Sequence, residues 1–259
     1  MNNEGYIITT DKSGQPMPTQ YNLATGEWVD YHPGEKKPYN CGKCHTTGYS
    51  EDGHQDGREG IVGTWALPGI QWERCHGPAA DHIAAGGDPS LVEVNTSAEL
   101  CGQCHIRREA TEIPAKGGFI RHHEQFNELL ASPHADFDCV TCHDPHKKAE
   151  FSIKLNCSPC HSSVVAAFEG STMQKVGMKC TDCHMPAASK SAVKFGPYQG
   201  DVATHLFRIN TDPTASMFTD DGAFAKDFVT LDFACLSCHK DKDINWAAER
   251  ASGIHSLGK

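Results

Sequence analysis

Apolar residues in this chain come in short bursts rather than long periodic runs. Tyr6-Ile7-Ile8 is followed by the polar turn Asp11-Lys12-Ser13-Gly14, and a half-apolar stretch from Gln20 to Tyr31 is broken at Thr25-Gly26. Bursts this short, bounded by glycine and polar turns, predict short strands and one hairpin, a small β-ribbon over residues 1–37. Farther on, Thr96-Ser97-Ala98-Glu99 has the form of a capping box, and helical fragments are expected there and around Glu124–Leu130. Val164, Val165, Ala167 and Phe168 share one helical face, and Asn245–Ser252 predicts another short helix that leads to His255. Glycine-rich connections such as Gly60-Ile61-Val62-Gly63 separate the pieces. The expected fold is mostly coil with short α-helices and the N-terminal ribbon. Its expected parts are residues 1–37, 38–150 and 151–259, the last two open to forming one continuous domain.

Composition sharpens this picture. Only 38% of the 259 residues are hydrophobic, a thin core for the length, while thirteen cysteines and sixteen histidines exceed what packing requires. Something other than side chains is expected to fill the interior. No apolar run approaches the roughly eighteen residues of a membrane span. The first residues carry neither a basic n-region nor an apolar h-region, so an exported protein would here be its processed form. A net charge of −10 makes nucleic acid an unfavourable partner. The short basic runs Lys36-Lys37 and Lys147-Lys148 read as solvated surface.

The cysteines carry the chemistry. Twelve of them form six Cys-x-x-Cys pairs, each followed at once by histidine: Cys41 and Cys44 with His45; Cys101 and Cys104 with His105; Cys139 and Cys142 with His143; Cys157 and Cys160 with His161; Cys180 and Cys183 with His184; Cys235 and Cys238 with His239. This is the attachment signature of c-type haem. Residues three apart lie about one helical turn from each other, so both thiols reach one porphyrin edge. The next residue then offers its imidazole to the iron. Tetrahedral zinc uses two such pairs or spaced histidines, and gives no reason for a histidine behind every second cysteine. A disulfide framework calls for an even count and leaves the histidines unexplained. The thirteenth cysteine lies in Trp72-Glu73-Arg74-Cys75-His76, where tryptophan holds the place of the first cysteine. It reads as a seventh haem on one thioether through Cys75 with His76 as axial ligand, against the alternative of a thiol beside an ordinary histidine.

Seven proximal histidines (His45, His76, His105, His143, His161, His184 and His239) leave nine, enough for bis-histidine ligation throughout. His82, His122, His123, His134, His146, His205 and His255 are the distal candidates. His32 and His54 are expected to be surface residues or ligands donated to another subunit. With both axial positions closed, electron transfer is favoured over chemistry at iron. About 37 residues per haem cannot surround seven porphyrins singly, so the haems are expected to pack against one another.

The stretches CGKCHTTGY, ERCHGPAADH and HHEQFNELLASPHADFDCVTCHDPH resemble the multihaem c-type cytochromes, in particular the core of those that polymerise into extracellular conducting filaments, or nanowires, and their periplasmic relatives. The likeness covers roughly residues 38–146, with a looser one in CTDCHMP, ATHLF and CLSCH; Trp72 departs from the pattern. It implies haem attachment at each Cys-x-x-Cys-His and distal roles for His82, His134 and His146. It also implies an extracellular or periplasmic electron carrier that meets redox proteins and self-associates into a filament or oligomer. Two rivals stand beside the filament subunit. One is a multihaem enzyme of the nitrite or hydroxylamine type, although no Cys-x-x-Cys-Lys occurs in the chain; the other is a monomeric shuttle.

Overall fold

The computed structural model describes residues 1–23 and 25–256. With 28% of the chain helical and 18% strand, more than half is turn and coil, as the short apolar bursts predict. Two compact units divide it, Met1–Thr96 and Ser97–Lys259.

In the first unit β1 (Ile7–Ile8) pairs antiparallel with β4 (Lys36–Lys37). Between them β2 (Gln20–Asn22) and β3 (Glu27–Val29) form the expected hairpin, with Tyr21 opposite Trp28. Gly26 takes φ 69° at its corner, a conformation open to glycine at little cost, and donates its N–H to Asn22 O at 2.8 Å. The ribbon is fastened by a polar contact: the buried Thr9 hydroxyl donates to Glu35 O (2.7 Å) and accepts the Glu35 N–H (2.9 Å). There follow α1 (Gly42–His45), β5 (Thr46–Thr47), β6 (Ser50–His54), β7 (Val62–Thr64) and β8 (Leu67–Pro68), then α2 (Glu73–His76) and α3 (Ala80–Ala84). β6 pairs with β7 inside the β5–β8 pair, all antiparallel. A Cβ on Gly42 would stand 2.9 Å from the Tyr49 ring and 3.1 Å from Trp65, so only glycine lets these aromatics close on the first cysteine turn. Among the described residues of this unit, Ile61 is the one buried hydrophobic side chain.

The second unit holds α4 (Ala98–Gly102), β9 (Ala115–Lys116), β10 (Phe119–Arg121), α5 (Gln125–Ala131), α6 (Cys139–Cys142), α7 (Ser162–Phe168), α8 (Thr172–Lys175), α9 (Cys180–His184), β11 (Ser189–Lys190), β12 (Ile209–Asn210), β13 (Val229–Thr230) and α10 (Ile244–Ala251). β10 is central in a three-stranded sheet, antiparallel to β9 and parallel to β11. Over it lies a core that includes Ile120, Leu206 and Val229, all 0% exposed, with Phe119, Met217 and Phe233 beside them. Each large apolar chain there contributes about 1.5–3 kcal/mol by leaving water. A smaller cluster of Ala98, Phe126 and Leu129 supports α4.

The helices at α5, α7 and α10 fall where the apolar pattern places them. α4 starts where expected, but its capping box does not form. Ser97 makes no side-chain cap bond, and the carboxylate of Asp138 accepts the Ala98 N–H at 2.9 Å instead. A charged acceptor at a helix start is the stronger one, and its source, forty residues away, is invisible to local pattern. No helix among the described residues is long and apolar enough to cross a membrane.

Candidate functional site

Each Cys-x-x-Cys-His closes into one tight turn. The histidine N–H donates to the carbonyl of the first cysteine at 3.0 Å in 41–45, 2.9 Å in 101–105, 3.0 Å in 139–143, 2.9 Å in 157–161 and 3.0 Å in 235–239; Cys180–His184 is the helix α9. The second cysteine joins the same turn through its own N–H: Cys44 donates to Cys41 O at 3.2 Å, Cys104 to Cys101 O at 3.1 Å and Cys238 to Cys235 O at 3.2 Å. Cys44 and Cys104 are half-buried, as their partners Cys41 and Cys101 are, so both thiols of each pair share one environment. The atypical 72–76 segment folds the same way, His76 N donating to Trp72 O at 3.0 Å, so tryptophan replaces the thiol without altering the backbone. Cys75 itself is exposed. None of the thirteen cysteines is in a disulfide, so the disulfide framework weighed from the sequence does not form. Among the described residues no three His, Cys, Asp or Glu side chains converge as a metal site.

The imidazoles are oriented in a common manner. Nδ1–H of His184 donates to Phe207 O (2.8 Å), that of His76 to Glu93 O (2.7 Å), that of His82 to Asp88 O (2.9 Å) and that of His143 to Ser152 Oγ (3.3 Å). His105 makes the same bond to Gln125 Oε1 at 3.3 Å, and His54 to Ile61 O at 3.0 Å. A metal-bound histidine fixes its tautomer in this way, presenting Nε2 to the metal. Three histidine pairs face each other: His143 and His205 with ring centres 6.2 Å apart, His161 and His134 at 5.9 Å, His184 and His255 at 5.6 Å. Two imidazole nitrogens on one metal, each bonded at about 2 Å, place ring centres about 6 Å apart. These three pairs therefore stand at the spacing of axial ligands, each joining a motif histidine to one expected at the distal position. Burial first, then His143 and His105, pushes the His205 imidazole down to about 4, so it is held in the neutral form a metal takes. Its buried Nδ1 has no hydrogen-bond partner, and its nearest carboxylate, Glu128 Oε2, lies 4.0 Å away. Thiols on one turn, Nε2-presenting imidazoles and paired rings fit haem c.

Successive motifs of the second unit adjoin. The side chains of Cys101 and Cys139 adjoin, as do those of Cys157 and Cys180. Cys142 lies within electrostatic reach of Cys157 and Cys160, and Cys183 within that of Cys235 and Cys238. Five attachment turns thus follow one another in space in their order along the chain.

The other sequence candidates sit less simply. His122, pushed down to about 4 by burial and by Arg107 and Arg121, takes the Arg107 guanidinium at 3.2 Å on Nε2, and stands edge-on to His123 at 4.3 Å. His82 lies parallel to Trp72, 5.9 Å between ring centres, while Trp72 is 4.9 Å from His76. His146 is exposed beside Asp144 at 3.6 Å, and His32 lies 3.5 Å from Glu35. Three contributors escaped the sequence reading. Asp138 ties the 139 motif to the helix of the 101 motif. Glu128, 1% exposed, accepts from Ser189 Oγ (3.1 Å), Thr204 Oγ1 (2.8 Å) and the His205 N–H. Phe207, at φ 57°, stands edge-on to His134 (4.6 Å) and His205 (6.0 Å) while its carbonyl holds His184. A bulky residue in the left-handed region is strained, and no sequence signal marks it.

A chain that uses its cysteines and histidines in this way is similar to the multihaem c-type cytochromes. Residues 15–77 match the family model of cytochrome c554 and c-prime, a stretch that takes in both the 41–45 and the 72–76 turns. Over 167 residues the chain is 26% identical to the multiheme cytochrome MtrA of Shewanella baltica (strain OS185), covering 58% of this chain and 46% of that protein. The chain thus matches about half the length of that relative. Its fold is similar to that of the outer cell wall cytochrome OcwA, with a TM-score of 0.56 and 20% identity over 91% of this chain and 68% of that one. The octaheme sulfite reductase MccA of Wolinella succinogenes gives a TM-score of 0.51 at 18% identity, covering 75% of this chain and 40% of that one. The undecaheme cytochrome from the S-layer of Carboxydothermus ferrireducens gives 0.50 at 18% identity, covering 95% and 51%.

Proposed function

We propose that the chain conducts electrons along seven closely spaced c-type haems, six held by Cys-x-x-Cys-His and one by Cys75 with His76. The observation that carries this reading is the spatial succession of attachment turns from Cys101 to Cys238. A bound haem supplies a one-electron couple at iron whose potential the protein sets through ligands, burial and nearby charge. The chain's own groups do the positioning. The thiols would hold each porphyrin edge and the seven proximal histidines its iron, and the Nδ1 bonds of His76, His105, His143 and His184 fix those four rings. His205, His134 and His255 would supply the second imidazole to haems held at His143, His161 and His184. His82, His122, His123 and His146 serve the remaining sites. The match to the c554 model across the 72–76 turn supports a haem at Cys75.

The working location is extracellular or periplasmic, and the partners are redox proteins and further copies of the chain in a filament or surface array. The cell-wall and S-layer cytochromes among the similar folds favour this setting. Intact mass and electron uptake of the purified chain test the reading together. The expected result is seven haem masses and one electron accepted per haem; a bare polypeptide mass, or haems that accept no electrons from an electrode, would refute it.

A further inference from the structure

Asp138 opens two attachment turns at once. Its carbonyl accepts the Thr141 N–H at 2.9 Å and begins α6, the turn of Cys139, Cys142 and His143. Its side chain accepts the Ala98 N–H at 2.9 Å and begins α4, the helix that carries Cys101. That bond joins segments forty residues apart in sequence. α4 does not need it merely to start: Ser97 stands at the N-cap with a hydroxyl of the type that ordinarily fills this role, and the hydroxyl makes no cap bond. What the remote acceptor adds is a tie between the two turns. The side chains of Cys101 and Cys139 adjoin, and the Asp138 carboxylate lies within electrostatic reach of both. Cys139 also packs on the cluster of Ala98, Phe126 and Leu129 that supports α4. Apolar packing therefore brings the two turns together, and the directional bond from Asp138 fixes how they sit. Asp138 itself is exposed, so its side chain can be shortened without opening a cavity in the core.

We propose, resting on the conduction reading, that Asp138 is a positioning residue that sets the separation and angle of the two haems held by the 101–105 and 139–143 turns. Thioethers anchor one edge of each porphyrin to its turn, so any movement of one turn against the other passes to the rings. Functional geometry of this kind is held by groups outside the ligand set. The working part of Asp138 is the oxygen that accepts the Ala98 N–H. A neutral acceptor of the same reach would serve equally well.

The test uses the full haem-loaded chain and reads circular dichroism in the Soret band, where two neighbouring porphyrins in fixed geometry give paired bands of opposite sign. The share of this pair is the one that disappears both when Cys101→Ser and Cys104→Ser are combined and when Cys139→Ser and Cys142→Ser are combined. Asp138→Ala is expected to lose that share while its intact mass keeps every haem. Asp138→Asn, which retains the accepting oxygen, is expected to keep it. Amide exchange at Ala98 reports the bond directly: it should quicken about fivefold in Asp138→Ala, the weight of one helix-cap bond, and hold the wild-type rate in Asp138→Asn. The proposal is overturned by paired bands that stay unchanged in Asp138→Ala, by their loss in Asp138→Asn with Ala98 still protected, or by an unmoved Ala98 rate in Asp138→Ala. Should a haem-lacking variant fail to fold, the difference spectrum between Asp138→Ala and Asp138→Asn decides; should the alanine variant fail, Asp138→Ser takes its place. A wild-type mass without haem at these turns would instead overturn the conduction reading.

Discussion

Replacing Glu128 with glutamine is expected to raise the reduction potential of the haem at His143 and His205, and to leave the others nearly unmoved. Glu128 is 1% exposed and its Oε2 lies 4.0 Å from His205 Nδ1. The far side of the imidazole and one metal bond add about 4 Å. A carboxylate about 8 Å from a unit charge interacts by about 2 kcal/mol at an effective dielectric of 20. For a one-electron couple, where about 1.4 kcal/mol corresponds to about 59 mV, that is about 85 mV. The anion stabilises the oxidised, more positive form, so its removal moves the potential upward. Glutamine keeps the volume and one acceptor for the Thr204 hydroxyl and the His205 N–H, so charge changes without a cavity. Burial pushes the Glu128 carboxyl up to about 7, so the comparison belongs at pH 9, where the wild-type group is ionised. A potentiometric titration followed by optical and EPR spectra resolves the single haem. A shift smaller than about 20 mV, a downward shift, or equal shifts at several haems would refute the reasoning.

Three further outcomes follow from the same contacts. Cys75→Ala should lower the intact mass by one haem, and an unchanged mass would show that the tryptophan-bearing turn holds none. Phe207→Ala should alter the ferric EPR g-values of the haem between His134 and His161 and of the haem between His143 and His205, because the ring it removes touches both distal histidines; unchanged signals would count against that packing. Gly102→Ala should lower the thermal midpoint, since its Cβ would stand 2.8 Å from the Phe126 ring. Overpacking of this kind costs about 1–3 kcal/mol, and a midpoint at or above wild type would contradict it.

The site was legible in the sequence to the degree that its chemistry is local. A thiol pair and a histidine within five residues must share one turn, so each Cys-x-x-Cys-His could be read without a fold. The short helices at α5, α7 and α10 were legible for the same reason, because a few apolar residues at helical spacing need only one buried face. Long-range partners were not. His205 faces His143, and His134 faces His161, through a chain path that sequence spacing does not encode. The Asp138 bond to α4 displaced the local capping box. Glu128 looks in sequence like any surface-facing acid on a short helix, and its burial follows from the Ser189 and Thr204 hydroxyls that meet it.

Redox-gated conductance through a film of the purified chain, compared with a variant combining Cys157→Ser and Cys160→Ser, bears most directly on the continuous row. That variant removes the middle of five successive attachment turns. The account predicts a current in the wild-type film that peaks near the haem potentials and falls in the variant. Equal currents in the two films would contradict it.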